Sequence, residues 1–179
     1  MSRPAIFFDR DGVLIESIVR EGKPFAATMR SEVKFIASAA SVCAHFKSAG
    51  FILIMFTNQP DVARKKANAA EVLQINEMVK HELHLDGYYC CTHDDVDRCE
   101  CRKPLPGMLK MGERDFDIDL TKSFVIGDRT KDMQAGKAVG ATTIFIDYGY
   151  RGESEGQAVG RDFVVKSLHE VVKIITKIE

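Results

Sequence analysis

The unbroken apolar run from Phe51 to Phe56 constrains this chain more than any other feature. A strand with one wet face alternates apolar and polar residues. A run without alternation belongs to a strand buried on both faces, as in parallel sheets covered by helices. Shorter apolar runs recur at 4–8, 123–126 and 142–146, with a further short strand at 87–91 and an edge strand at 162–165. Helical patterns lie between them. In 69–85, Val72, Ile75, Val79 and Leu83 recur at helical spacing. Further helices are expected at 38–48, closed by Gly50, at 105–115, at 130–139, closed by Gly140, and at 167–178, capped by Ser167. Alternating strands and helices imply an open, mostly parallel, Rossmann-like three-layer α/β/α sheet. Residues 13–35 carry Gly22 and Pro24 and read as one long loop, and 148–160 as another. The length of 179 residues fits a single domain over 1–179.

The polar residues sit where these strands would end. Asp9-Arg10-Asp11-Gly12 follows the first run, Thr57-Asn58-Gln59 the second, and Gly127-Asp128-Arg129, with Asp132 behind it, a third. Strand C-termini of open α/β sheets are where ligands bind. Asp9 and Asp11 stand two positions apart, so on an extended strand end they point to one side. One carboxylate can attack phosphorus while another moves the proton. Close acids repel, and Mg²⁺ suits them, with Asp128 completing the site. Thr57 and Asn58 can hold a phosphoryl oxygen. Lys103 can neutralise the transferring charge, and Arg102 can grip an oxygen acid. Each motif alone fits a turn, a cap or a solvated face. Together they fit metal-assisted phosphoryl transfer.

The cysteines point to a second metal. Cys91-Thr92-His93 and Cys99-Glu100-Cys101 flank a polar segment with no core of its own. Three thiolates and an imidazole suit a closed tetrahedral Zn²⁺ site, a clip over about 90–104 leading directly into Arg102 and Lys103. Cys90 is an alternative ligand. Cys91 is preferred because the two neighbours face opposite ways on a strand. Cys43 stands alone in a helical stretch and reads as a small buried apolar residue.

A net charge of -1 offers nothing to nucleic acid or anionic membrane. No apolar run reaches bilayer length, and the N-terminus lacks signal-peptide organisation. A cytoplasmic monomer acting on a small-molecule phosphate ester is expected.

Taken in order, Asp9-Arg10-Asp11-Gly12-Val13, Phe56-Thr57-Asn58-Gln59, the Cys-x-His and Cys-x-Cys-Arg-Lys-Pro elements and Gly127-Asp128-Arg129-x-x-Asp132 resemble the haloacid dehalogenase superfamily. More narrowly, they are similar to its histidinol-phosphate and D,D-heptose 1,7-bisphosphate phosphatase group. The resemblance runs over about 5–147. It implies Asp9 as nucleophile and Mg²⁺ ligand. It implies Asp11 as acid/base, reaching Mg²⁺ through its backbone carbonyl, and Asp128 as the third protein ligand. Thr57 and Lys103 would steady the phosphoryl group. Ser17, Arg20, Asn58, Gln59, Arg102 and Arg129 would meet substrate, and Cys91, His93, Cys99 and Cys101 would hold zinc. No large cap domain is expected. Two departures bear on substrate: Pro60-Asp61-Val62-Ala63-Arg64 replaces the family's common Ser-Gly-Ile-Ala-Arg, and Thr92 replaces a common proline. The leading expectation is hydrolysis of D-glycero-D-manno-heptose 1,7-bisphosphate at its 7-phosphate through an aspartyl-phosphate. Histidinol-phosphate hydrolysis and a non-catalytic phospholigand-binding module are the alternatives.

Overall fold

The computed structural model describes residues 2–150 and 160–178. Its centre is a six-stranded parallel sheet in the order β5-β4-β1-β6-β7-β8. The strands are β1 (Ala5–Phe8), β4 (Ile52–Asn58), β5 (Gly87–Cys91), β6 (Phe124–Gly127), β7 (Thr142–Ile146) and β8 (Phe163–Val165). Helices α1 (Ala39–Ser48), α2 (Ala69–Glu82), α3 (Gly107–Phe116), α4 (Thr130–Lys137) and α5 (Leu168–Ile178) cover it. The period of two along β1 sorts its side chains between layers. Ile6 and Phe8 join the core with α1, α2 and α5, while Ala5 and Phe7 join the core with α3 and α4. Both faces are therefore dry, which explains why these strands read as continuous apolar runs. The expected three-layer parallel α/β fold is the one observed.

The chain builds outward from β1 through β4 to β5, then returns to the other side of β1 with β6. The order reverses between β1 and β6, and a crevice opens at such a switch point beyond the strand ends. Asp9 and Asp128 are the residues immediately after these two strands.

Residues 13–35 differ from the expected plain loop. They contain an antiparallel hairpin of β2 (Ile18–Arg20) and β3 (Lys23–Phe25), with Val19 opposite Pro24. Glu21 and Gly22 both take positive φ, at 51° and 76°, the conformation of a two-residue hairpin turn that follows strand twist. Three-residue strands carry too little alternation to be seen in sequence, and Pro24 argued against a strand. Pro24 is tolerated because this ladder is all edge. The loop expected at 148–160 lies largely outside the described residues. Among the described residues, no helix is long and apolar enough to cross a membrane.

Candidate active site and Cys/His centre

Three carboxylates meet at the switch point. Asp9, Asp128 and Asp132 each place an oxygen within 4.8 Å of the others, and all three residues are buried. Asp9 follows β1 and accepts from the Arg10 backbone N–H at 2.7 Å. Asp132 sits in the first turn of α4, where the helix dipole favours an anion. It accepts from the Arg129 N–H at 3.0 Å. Neither oxygen of Asp128 has a hydrogen-bond donor among the described residues. Burial drives the Asp128 pKa well above the carboxylate range, and the charges of Asp9 and Asp132 push it further. Burial, then the charge of Asp9, lifts Asp132 to about 7.

The closest cation to these charges among the described residues is a lysine. Lys103 is 3 % exposed, and its Nζ lies 2.9 Å from Asp9 Oδ1 and 2.6 Å from Asp132 Oδ1. Nζ also donates to the Phe56 carbonyl at 3.1 Å and sits 4.2 Å above the Phe56 ring. Burial alone would lower the lysine pKa, but Asp132 and Asp9 outweigh it and the net shift is upward. Lys103, together with the half-buried Arg129 whose Nε lies 4.0 Å from Asp128 Oδ1, still leaves negative charge in excess against three ionised acids. A dry pocket does not hold such an excess. A divalent cation bound between Asp9 and Asp128 would remove it, and the Asp128 oxygens, which accept no hydrogen bond among the described residues, are the hard ligands it requires. Gly12 makes room for that carboxylate. Its φ is +85°, and a Cβ there would stand 2.0 Å from Asp128 Oδ2. Gly12→Ala should therefore cost about 1–3 kcal/mol in backbone strain alone. It should also displace Asp128, so a Mg²⁺ titration followed by calorimetry should show affinity lost beyond what the stability change explains.

The end of β4 serves the same centre. The Asn58 side chain donates to the Lys103 carbonyl and accepts from the Lys103 N–H, both at 3.1 Å, and so fixes the lysine backbone. Thr57 is buried with its hydroxyl at the cleft. Gln59 is 2 % exposed and does not line the cleft; its amide donates to Thr57 Oγ1 and Asp11 Oδ2, both at 3.0 Å. Asp11 borders the cleft, but its carboxylate stands outside the three-acid cluster.

The cleft above these groups has a volume of about 740 Å³. The hairpin walls one side with Ser17, Arg20 and Phe25, and Arg20 lies 5.7 Å from the Phe25 ring centre. Arg129 reaches the hairpin too, donating from Nη2 to the Pro24 carbonyl at 2.6 Å. Arg102 walls the opposite side. It donates from Nε to Asp95 at 2.7 Å and from Nη1 to the His93 carbonyl at 3.3 Å. Arg64, in the segment that departs from the family pattern, also faces the cleft and forks onto Asp94 at 2.7 and 2.5 Å.

Beside Arg102 lies the Cys/His cluster. Cys91 Sγ is 3.6 Å from Cys99 Sγ and 3.7 Å from His93 Nδ1, while Cys101 Sγ is 3.5 Å from Cys99 Sγ and 3.4 Å from His93 Nδ1. Tetrahedral zinc, with Zn–S near 2.3 Å and Zn–N near 2.0 Å, sets its ligand atoms about 3.5–3.8 Å apart. The four side chains are already spaced for such an ion. Burial, followed by the neighbouring Cys101 thiol, raises the Cys91 pKa, the expected penalty for packing thiols together without a cation. Cys90 faces the other side, toward Asn76, Arg10 and Asp11, and is not in the cluster.

Three contributors were not picked out as site residues from sequence. Asp132 is the third acid, and its signal was visible as the carboxylate four positions after Asp128. Arg10 is wholly buried beneath Asp11. Tyr150 reaches Ser17 and stacks near Tyr148, with ring centres 5.4 Å apart. Nothing local in the sequence marks either Arg10 or Tyr150.

An open parallel sheet with a buried acidic, cation-demanding centre at its switch point is the frame of a metal-assisted phosphoryl-transfer protein. The comparisons agree. The HAD-hydrolase-like family model matches residues 100–171. The D-glycero-beta-D-manno-heptose-1,7-bisphosphate 7-phosphatase of Yersinia pestis is 34% identical, covering 97% of this chain and 96% of its own. Its Escherichia coli K12 counterpart is 32% identical, covering 98% and 95%. The crystal structure of D,D-heptose 1,7-bisphosphate phosphatase from B. bronchiseptica, complexed with magnesium and phosphate, shares the fold with a TM-score of 0.81. It is 24% identical and covers 98% of this chain and 99% of that one. This chain belongs to the haloacid dehalogenase superfamily, within its family of heptose-bisphosphate phosphatases, which are phosphoric monoester hydrolases.

Proposed function

We propose that this chain is a single-domain, Mg²⁺-dependent phosphatase that removes the 7-phosphate of D-glycero-D-manno-heptose 1,7-bisphosphate. The observation that carries this reading is the buried Asp128 carboxylate, which accepts no hydrogen bond among the described residues, beside Asp9 and Asp132, with Lys103 the one buried cation at this three-acid cluster among the described residues. Asp9 is the nucleophile: the Arg10 N–H and Lys103 fix its Oδ1, and its other oxygen is free to attack phosphorus. Mg²⁺ between Asp9, the Asp11 carbonyl and Asp128 would supply charge neutralisation to the phosphoryl oxygens. Lys103 and the Thr57 hydroxyl hold those oxygens from the protein side. Asp11 protonates the leaving alkoxide, then takes the proton of the water that hydrolyses the aspartyl-phosphate.

Arg20, Arg102 and Arg129 ring the cleft, as a substrate with a second phosphate would require. Glu32, Asp61 and Asp95 also line the cleft, but each is already engaged, by the Thr28 and Met29 N–H groups, by Arg64 and by Arg102, so a histidinol amine has no free acid there and the bisphosphate is favoured over histidinol phosphate. The nucleophile, acid and lysine together favour an enzyme over a binding module. Cys91, His93, Cys99 and Cys101 hold Zn²⁺ and set the aim of Arg102. Such thiolate ligands need a reducing compartment, which supports a cytoplasmic location.

The test is phosphate release from the heptose bisphosphate, histidinol phosphate and a panel of sugar phosphates, with Mg²⁺ and with EDTA. Mg²⁺-dependent preference for the heptose bisphosphate supports the reading. Preference for histidinol phosphate replaces the substrate, and no turnover on any ester moves the reading to a binding module.

Two further results are expected. Asp128 and Asp132 have folded pKa values raised above those of the unfolded chain, so they stabilise the metal-free protein at low pH. The Asp132 contribution disappears as pH rises from the unfolded Asp value through about 7, and the Asp128 contribution as pH rises through its own raised folded value. Mg²⁺ binds the ionised acids, so its addition should raise Tm more at about pH 8 than at about pH 5. Equal shifts at both pH values would contradict this site. Cys99→Ser should lower the zinc content measured by atomic absorption and loosen the loop carrying Arg102, raising KM more than it lowers kcat. Full zinc retention would remove Cys99 from the ligand set.

A further inference from the structure

Among the described residues Arg10 is the largest side chain that is wholly buried, and the phosphoryl chemistry above makes no use of its guanidinium. A guanidinium stays charged and is costly to bury without a complete set of partners. Each of its three nitrogens has one. Nε donates to Asp11 Oδ2 at 3.0 Å, Nη1 to Asn76 Oδ1 at 2.8 Å, and Nη2 to the Ala27 carbonyl at 2.7 Å. Asn76 is itself buried, on α2. Ala27 closes the arrangement, because its N–H donates to Asp11 Oδ1 at 2.9 Å while its carbonyl accepts from Arg10. The Gln59 amide adds a second donor to Asp11 Oδ2 at 3.0 Å.

A carboxylate offers about four lone-pair positions. Three of those on Asp11 are filled by Arg10, Gln59 and Ala27. The carboxylate can therefore neither turn about its bond to Cβ nor choose among positions for a proton. One position remains, and Asp11 borders the cleft. We propose that Arg10 is a positioning residue for the acid/base Asp11: it fixes the rotamer of that carboxylate so that its one open lone pair faces the leaving oxygen. Through Ala27, Arg10 also ties that orientation to the backbone two residues beyond the substrate-facing hairpin. A lysine cannot replace it, since a single ammonium has no planar fork to reach Asp11, Asn76 and Ala27 in three directions.

The inference rests on the proposed role of Asp11, and leaving-group dependence separates the two. An alkoxide needs a proton to leave, whereas p-nitrophenolate leaves without one. The measured quantity is kcat/KM, which reports the step that breaks the ester bond, for the heptose bisphosphate and for p-nitrophenyl phosphate. Asp11→Asn is the benchmark. Arg10→Lys and Asn76→Leu are the test variants, each first checked for an intact melting transition and unchanged Mg²⁺ affinity.

Arg10→Lys should lose about 10²-fold on the heptose bisphosphate, the lower range for general acid catalysis, and less than about 3-fold on the aryl ester. Asn76→Leu, which removes one anchor of the guanidinium and keeps the branching and the number of side-chain heavy atoms, should show a smaller loss with the same selectivity. It carries the test alone if Arg10→Lys does not fold. Equal losses on both esters, or none on either, would make Arg10 a structural residue only and overturn the proposal. If Asp11→Asn itself affected both esters equally, the acid/base assignment of Asp11 would fall, and the role of Arg10 with it.

Discussion

Asp9→Asn should lower turnover by ~10⁴-fold or more, as loss of a nucleophile does, while the protein stays folded. Asparagine keeps the volume of aspartate and still accepts from the Arg10 N–H, the contact that Asp9 makes at 2.7 Å. It removes one of three mutually repelling acids, and Lys103 retains its partner Asp132. The melting temperature in EDTA should therefore hold or rise. Mg²⁺ should raise it less than in the unmodified protein, because a ligand is gone. A folded Asp9→Asn protein with turnover within tenfold of the unmodified one would rule out the covalent route.

Lys103→Met should have the larger effect on stability. Methionine keeps the apolar stem over the Phe56 ring but strands Asp9 and Asp132 and leaves Asp128 with the half-buried Arg129 at 4.0 Å. Removing one partner of a buried ion pair costs about 3–5 kcal/mol. Turnover should fall by ~10³-fold, as for loss of one preorganised charge at the reacting group. The pH dependence has a definite sign. Without the lysine, Asp132 loses the charge that restrains its upward shift. The variant should be least stable at alkaline pH in EDTA and recover as the acids protonate. Mg²⁺ should restore part of the stability and little of the activity. Urea melts at two pH values, with and without Mg²⁺, check all of this. A stability loss independent of pH would mean that the lysine serves as packing.

Which of these features could be read from sequence follows from how local each one is. The strands were legible because burial on both faces leaves an unbroken apolar run, as in Phe51 to Phe56. Their ends were less so: β4 continues to Asn58, held by pairing of Thr57 and Asn58 with Cys90 and Cys91 on β5. Helix ends moved for similar reasons. The helix expected at 69–85 stops at Glu82, and α3 starts at Gly107, after Pro106. Ser167 precedes α5 as expected, but its hydroxyl donates to the Glu170 carboxylate at 3.1 Å.

Asp9, Asp11 and Asp128 were legible because acids at successive strand ends make a pattern that propensity does not produce, whereas Lys103 read as a site residue only in company with them. The hairpin of β2 and β3 was missed, its strands being too short to show a period. Arg10 was missed for a deeper reason. In sequence it is a charged residue in an acidic turn, where exposure is the ordinary expectation. Its burial depends on Asn76, 66 positions away, and on Ala27, 17 positions away. Gln59 likewise reads as a ligand contact until its amide is seen to bridge Thr57 and Asp11.

The central claim is that Asp9 carries the phosphoryl group between ester and water. Rapid acid quench of a single turnover, with peptide mapping by mass spectrometry, addresses it directly. The account predicts transient phosphate on the peptide containing Asp9, formed only with Mg²⁺ and absent from Asp9→Asn. Full release of phosphate at every quench time, with no phosphopeptide and with Asp9→Asn still turning over, would contradict it and point to direct attack by water.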